Sequence, residues 1–150
     1  MAGQPVIREM KIEDLNAVYE IETEAFKNST WTMEAYTREL VMNKFAHYFV
    51  MELDGEIIGY TGIWLVVDQC QITTVAVSKK MRGKGYSHVL IQHIKDYVKP
   101  QADVVSLEVR VDNTPAMRLY ERNGFKYGGV RKNYYGEGLD AHVMWVNLNE

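Results

Sequence analysis

A carboxylate, an amide and a phenol follow one another closely in the second half of the chain: Glu108, Asn113 and Tyr120. A carboxylate can take a proton from an ammonium group, directly or through water, and a phenol can return one to a leaving group. Glu108 belongs to residues 104–111, where Val105, Leu107, Val109 and Val111 fall on one side and Ser106, Glu108 and Arg110 on the other. That is the alternation of a strand with one polar face. A half-exposed strand shows the same pattern with Glu108 and Arg110 merely solvated. Leu119 and Tyr120 sit at a spacing that core packing alone would also use. The residues by themselves leave both alternatives open.

A second candidate lies upstream. Residues 72–77 (ITTVAV) are rich in β-branched side chains and read as a strand. After SKKM, the stretch Arg82, Gly83, Lys84, Gly85, Tyr86 and Ser87 reads as a tight turn opening a helix. Two glycines let successive N–H groups point into one concavity. The helix adds its unpaired N-terminal N–H groups and the positive end of its dipole. Such a place suits a phosphate, most naturally a pyrophosphate. The Walker pattern does not fit, because Gly85 rather than Ser or Thr follows Lys84; nor does the dinucleotide pattern, whose third glycine is replaced by His88. An ordinary strand-to-helix turn has the same composition.

Other chemistries find little support. His47, His88, His93 and His142 show no metal-ligand spacing, and no serine has a recognisable triad partner. The single cysteine, Cys70, allows no internal disulfide, reads as a small packing residue and suits a reducing cytosol. A formal net charge of −3 argues against non-specific nucleic-acid binding. The first residues, MAGQPVIREM, hold no long apolar stretch, and the longest apolar runs are far too short to span a bilayer. The expectation is a cytoplasmic protein, monomeric or weakly dimeric.

The elements that position these residues follow from hydrophobic spacing. Residues 6–10 alternate as a first strand. Residues 13–26 carry a helical stripe of Leu15, Val18, Ile21, Ala25 and Phe26, with Glu20, Glu22 and Glu24 as a solvated face. A loop at 26–31 has an aromatic at each end, Phe26 and Trp31, and Thr32 caps a second helix burying Met33, Tyr36 and Leu40. Strands at 47–53 and 56–67 meet at Asp54-Gly55, a hairpin signal, and a further turn at 68–69 leads to the central strand. The helix after the glycine turn buries Tyr86, Val89, Leu90, Ile94 and Tyr97 and ends near Pro100. Thr114-Pro115 starts a short helix that Asn123-Gly124 closes. Strands at 125–133 and 142–148 flank a polar loop at 134–140. With 150 residues the chain is one domain's worth. The order predicts a mixed α/β fold: a mostly antiparallel sheet with one parallel pair where the central helix crosses over, and helices on both faces.

With those elements in place, the β-branched strand, the turn RGKGYS, then LEVRVDN and LYERNGF resemble the GNAT acetyltransferase superfamily over essentially the whole chain. LEVRVDN with LYERNGF and the late RKNYY is similar, more narrowly, to RimI-type ribosomal-protein N-alanine acetyltransferases. The resemblance implies a GNAT-like fold with a splayed parallel pair and acetyl-CoA as co-substrate, with no metal. It gives the diphosphate-binding role to Arg82, Gly83, Lys84, Gly85, Tyr86 and Ser87, the last standing where Gly or Ala is usual. Backbone groups of Val75, Ala76 and Val77 would hold the pantetheine, and Asn113 would contact the cofactor. Glu108 matches the base and Tyr120 the acid of a direct transfer. Phe26 and Trp31 match the substrate loop, and Tyr134 and Tyr135 the late tyrosine pair. The partner implied is the N-terminus of a ribosomal protein or another protein, with no direct nucleic-acid or membrane contact. A small-molecule acetyltransferase acting on a polyamine or aminoglycoside is the alternative, with the Glu20–Glu24 cluster as its hint of an acidic pocket.

Overall fold

The computed structural model describes residues 3–25, 32–134 and 136–149. Its elements run β1 (Val6–Glu9), α1 (Leu15–Ala25), α2 (Met33–Met42), β2 (Ala46–Leu53), β3 (Glu56–Val66), β4 (Gln69–Val77), α3 (Tyr86–Val98), β5 (Val104–Arg110), α4 (Thr114–Arg122), β6 (Lys126–Arg131) and β7 (Ala141–Asn147). The order and type of the elements are those the hydrophobic spacing implies. The strands form one seven-stranded sheet, ordered β1-β2-β3-β4-β5-β7-β6. Every pairing is antiparallel except β4 with β5.

Several details differ from the sequence reading. The turn between β3 and β4 falls at Val67 and Asp68, with Val67 in the left-handed region at φ 57°, so β4 starts at Gln69. On α3, Leu90, Ile91, Ile94 and Val98 are buried, whereas Val89 and Tyr97 are exposed. The Tyr97 hydroxyl lies 3.1 Å from Nδ1 of His47 at the surface. Both positions flank the apolar stripe rather than sit on it.

Among the described residues three buried clusters fill the interior, the smallest made by Met51, Leu53, Ile58, Val77 and Leu90. On one face of the sheet, α3 packs Ile91, Ile94 and Val98 against Cys70 and Ile72 of β4 and Val105, Leu107 and Val109 of β5. On the other, Leu15, Val18 and Ile21 of α1 and Tyr36 of α2 cover Tyr48, Val50, Tyr60 and Ala76. Cys70 is a packing residue, its thiol pushed up to about 12 by burial. Among the described residues no helix is long and apolar enough to cross a membrane.

β4 is irregular where it matters. Against β3 its register slips between Gly62 and Ile63: Gly62 faces Thr74 and Ile63 faces Ile72, leaving Thr73 as the extra residue of a bulge. Gly62 is required there, because a Cβ would lie 2.3 Å from the Tyr48 ring and 3.1 Å from the Thr73 hydroxyl. Against β5 the parallel pairing runs only from Gln69–Val104 to Ile72–Leu107. Beyond it the two strands part, so residues Thr73 to Val77 have β3 as their only strand partner among the described residues.

Candidate active site

Glu108 sits on β5 one residue beyond the last β4–β5 pair, at the mouth of the gap. Its neighbours Leu107 and Val109 point into the α3 core, so its own side chain faces the sheet's other side. There it is 11% exposed and accepts from Arg131 Nη1 at 2.8 Å through Oε1. Its Oε2 accepts from Nε2 of Gln71, on β4 just before the bulge. The Arg131 guanidinium lies over the Tyr134 ring, 4.6 Å from its centroid. Burial, then the nearby Glu108 charge, raise the Tyr134 hydroxyl's pKa, while Arg131 opposes the shift.

Tyr120 approaches from the opposite face. It is partly buried on α4, packs against the α3-side core and meets Phe125 edge-on, with ring centroids 5.6 Å apart. The carboxylate and the phenol therefore flank the sheet from its two sides, and the parting of β4 from β5 is the opening between them. Asn113 is the N-cap of α4, its Oδ1 accepting from the Ala116 N–H at 3.2 Å.

The glycine turn is exposed, residues 82–85 lying at the surface. Gly83 and Gly85 have φ of 77° and 85°, and nothing lies within 4 Å of where a Cβ would stand on either. Gly85 is the N-cap of α3, so Tyr86 and Ser87 open its first turn. Arg82 turns back to donate from Nε to the Val77 carbonyl at 3.2 Å, tying the turn to the end of β4. The carbonyl of Val77 is thus already engaged. Val75, Ala76 and Val77 form the splayed end of β4. Gly83 and Gly85, bare of side chains, leave room beside the start of α3 for an anionic group such as a diphosphate.

Phe26, Trp31 and Tyr135 lie outside the described residues. Tyr134 is placed, exposed, over Arg131. The acidic face assigned to α1 needs correction. Glu20 is exposed, but Glu22 is 3% exposed and accepts hydrogen bonds from both Tyr36 and Tyr60. The carboxylate is capped by phenols instead of lining an open acidic pocket. The phenols in turn are held neutral, their pKa values raised mainly by burial. Glu22 falls four residues after Val18, on the buried stripe, and that spacing was the available signal. Gln71 carried no such signal, since its place beside Glu108 depends on a long-range register. Among the described residues no group of three or more His, Cys, Asp and Glu could hold a metal ion.

Comparison with known proteins gives one consistent picture. The pattern of the acetyltransferase (GNAT) family matches residues 15–125. A Bacillus subtilis protein whose name carries a provisional assignment as ribosomal protein bS18-alanine N-acetyltransferase is 44% identical over 152 residues, covering 100% of both chains. The N-alpha-acetyltransferase RimI of Mycobacterium tuberculosis is 31% identical over 137 residues, covering 87% of this chain and 85% of its own. The crystal structure of the ribosomal-protein-S18-alanine N-acetyltransferase from Escherichia coli superposes with a TM-score of 0.84 at 25% identity, over 97% of this chain and 94% of the other.

Proposed function

Because the chain belongs to the GNAT family and is an N-acetyltransferase, we propose that it moves an acetyl group from acetyl-CoA to the N-terminal amino group of a ribosomal small-subunit protein, Ala favoured. It would act as a single domain over its 150 residues, and such a substrate implies a cytoplasmic location. The observation that supports the reading is the placement of Glu108 at the mouth of the β4–β5 gap, on the face opposite Tyr120.

In this reading the diphosphate rests on the N–H groups of the turn Arg82 to Ser87, and Val75, Ala76 and Val77 flank the pantetheine. Acetyl-CoA, when bound, supplies an activated acyl carbon. Glu108 takes the proton of the incoming ammonium, directly or through water. An α-amino group has a reference pKa near ~8 against roughly 10.4 for lysine, so deprotonation at neutral pH costs about 1 kcal/mol instead of about 4–5. One carboxylate is an adequate base for the α-amine. Backbone N–H groups of the splayed strand stabilise the oxyanion, and Tyr120 returns a proton to the departing thiolate from the far side.

The test is a peptide panel with acetyl-CoA and mass read-out, run beside Glu108→Gln and Tyr120→Phe. Ala-started peptides should gain one acetyl group at the N-terminus. Each variant should lose about 10²–10⁴-fold in kcat with acetyl-CoA affinity retained by calorimetry. Acetylation of polyamines with no peptide product would overturn the substrate. Unchanged kinetics in both variants would remove the assigned roles.

A further inference from the structure

Resting on the reading of Glu108 as the base, we propose that Arg131 is a placeholder for the substrate's N-terminal ammonium, which displaces it from Glu108 on binding. Both carboxylate oxygens are engaged, Oε2 by Gln71 and Oε1 by Arg131. The two partners are not alike. Gln71 lies on an interior strand, with β3 and β5 on either side. Arg131 lies on the edge strand β6, every residue of which is exposed, and its own side chain is 55% exposed beside a carboxylate that is 11% exposed.

Removing a cation from a nearly buried carboxylate is costly unless another replaces it. An N-terminal ammonium matches the guanidinium in charge and carries three N–H donors, one of which can take the same oxygen. Arg131 also has a second seat, since its guanidinium already stacks on Tyr134 at 4.6 Å. It can give up Glu108 without leaving the ring. The remaining charge on this face of β5 is Arg110, which is committed to Asp112 through two hydrogen bonds of 3.0 and 2.9 Å. Of Gln71 and Arg131, the arginine is therefore the exchangeable partner. The acetylated product carries no ammonium, so it gains nothing from Glu108, and Arg131 resumes its place there uncontested.

The test measures binding of an eight-residue Ala-started peptide by calorimetry at saturating CoA, with the same peptide N-acetylated as control. In Arg131→Ala the free-amine peptide should bind at least threefold tighter, the acetylated one should be unchanged, and the steady-state KM should fall by a like factor. Arg131→Lys, which keeps a cation, should restore the wild-type values. A fall in kcat with KM unchanged, equal effects on both peptides, or weaker binding of the free amine would each overturn the proposal. Glu108→Gln separates the two layers. If that variant turns over like wild type, the base assignment fails; if it is inactive while Arg131→Ala matches wild type, the placeholder alone fails.

Discussion

Replacing Tyr60 by Phe tests the most unusual feature of the interior, a carboxylate shared by two phenols. Tyr60 is 0% exposed, Tyr36 2% and Glu22 3%, and the substitution removes one oxygen while leaving the ring in place. Tyr36 still donates to Glu22 at 2.9 Å, but the carboxylate loses the Tyr60 donor, and Tyr36 loses its neighbour at 3.2 Å. A hydrogen bond to a charged group contributes about 1.5–3 kcal/mol. For a chain of 150 residues that corresponds to a fall in Tm of roughly 3–12 °C. Urea unfolding followed by circular dichroism should show a lower midpoint at an unchanged m-value. Tyr36→Phe alone and the double variant complete a cycle. Since the phenols share one acceptor and touch each other, their losses should deviate from additivity by about 0.5 kcal/mol or more. A Tyr60→Phe protein within about 0.5 kcal/mol of wild type, or strictly additive losses, would refute the account.

The turn and the first strand allow two shorter tests. Gly85→Ala forces an L side chain to φ 85° with open space around it, so backbone strain of about 1–2 kcal/mol should weaken acetyl-CoA binding more than peptide binding when both are measured by calorimetry. Arg8→Ala removes the guanidinium that donates to both Asp14 oxygens at 2.8 Å and holds that carboxyl below its usual range. A depressed carboxyl contributes stability above its unfolded pKa of about 4 and loses it as pH falls, so the variant should be about 2 kcal/mol less stable at pH 7, the gap closing below about pH 4.

What the sequence revealed depended on how local the cause was. Caps and turns were legible because single residues make them: Thr32 accepts from the Ala35 N–H, and Asp54-Gly55 turns β2 into β3. The polar face of β5 was legible from alternation alone. Glu22 was misread because its charge was weighted above its position four residues after Val18. Tyr97 and Val89 erred the other way, apolar in type but lying beside the helix stripe. The bulge at Thr73 and the Gln71–Glu108 bond arise from pairings between distant strands, one of them permitted by the missing side chain of Gly62. No window of sequence contains both ends of such a contact.

The short parallel seam has a mechanical side. Four residue pairs stitch β1–β4 to β5–β7, so the sheet is two panels meeting along a brief join, with α3 packed beneath both. A molecule seated in the cleft past that join would act as a wedge that both panels grip. Its arrival and departure would then be felt by the whole architecture, not only by the side chains that touch it.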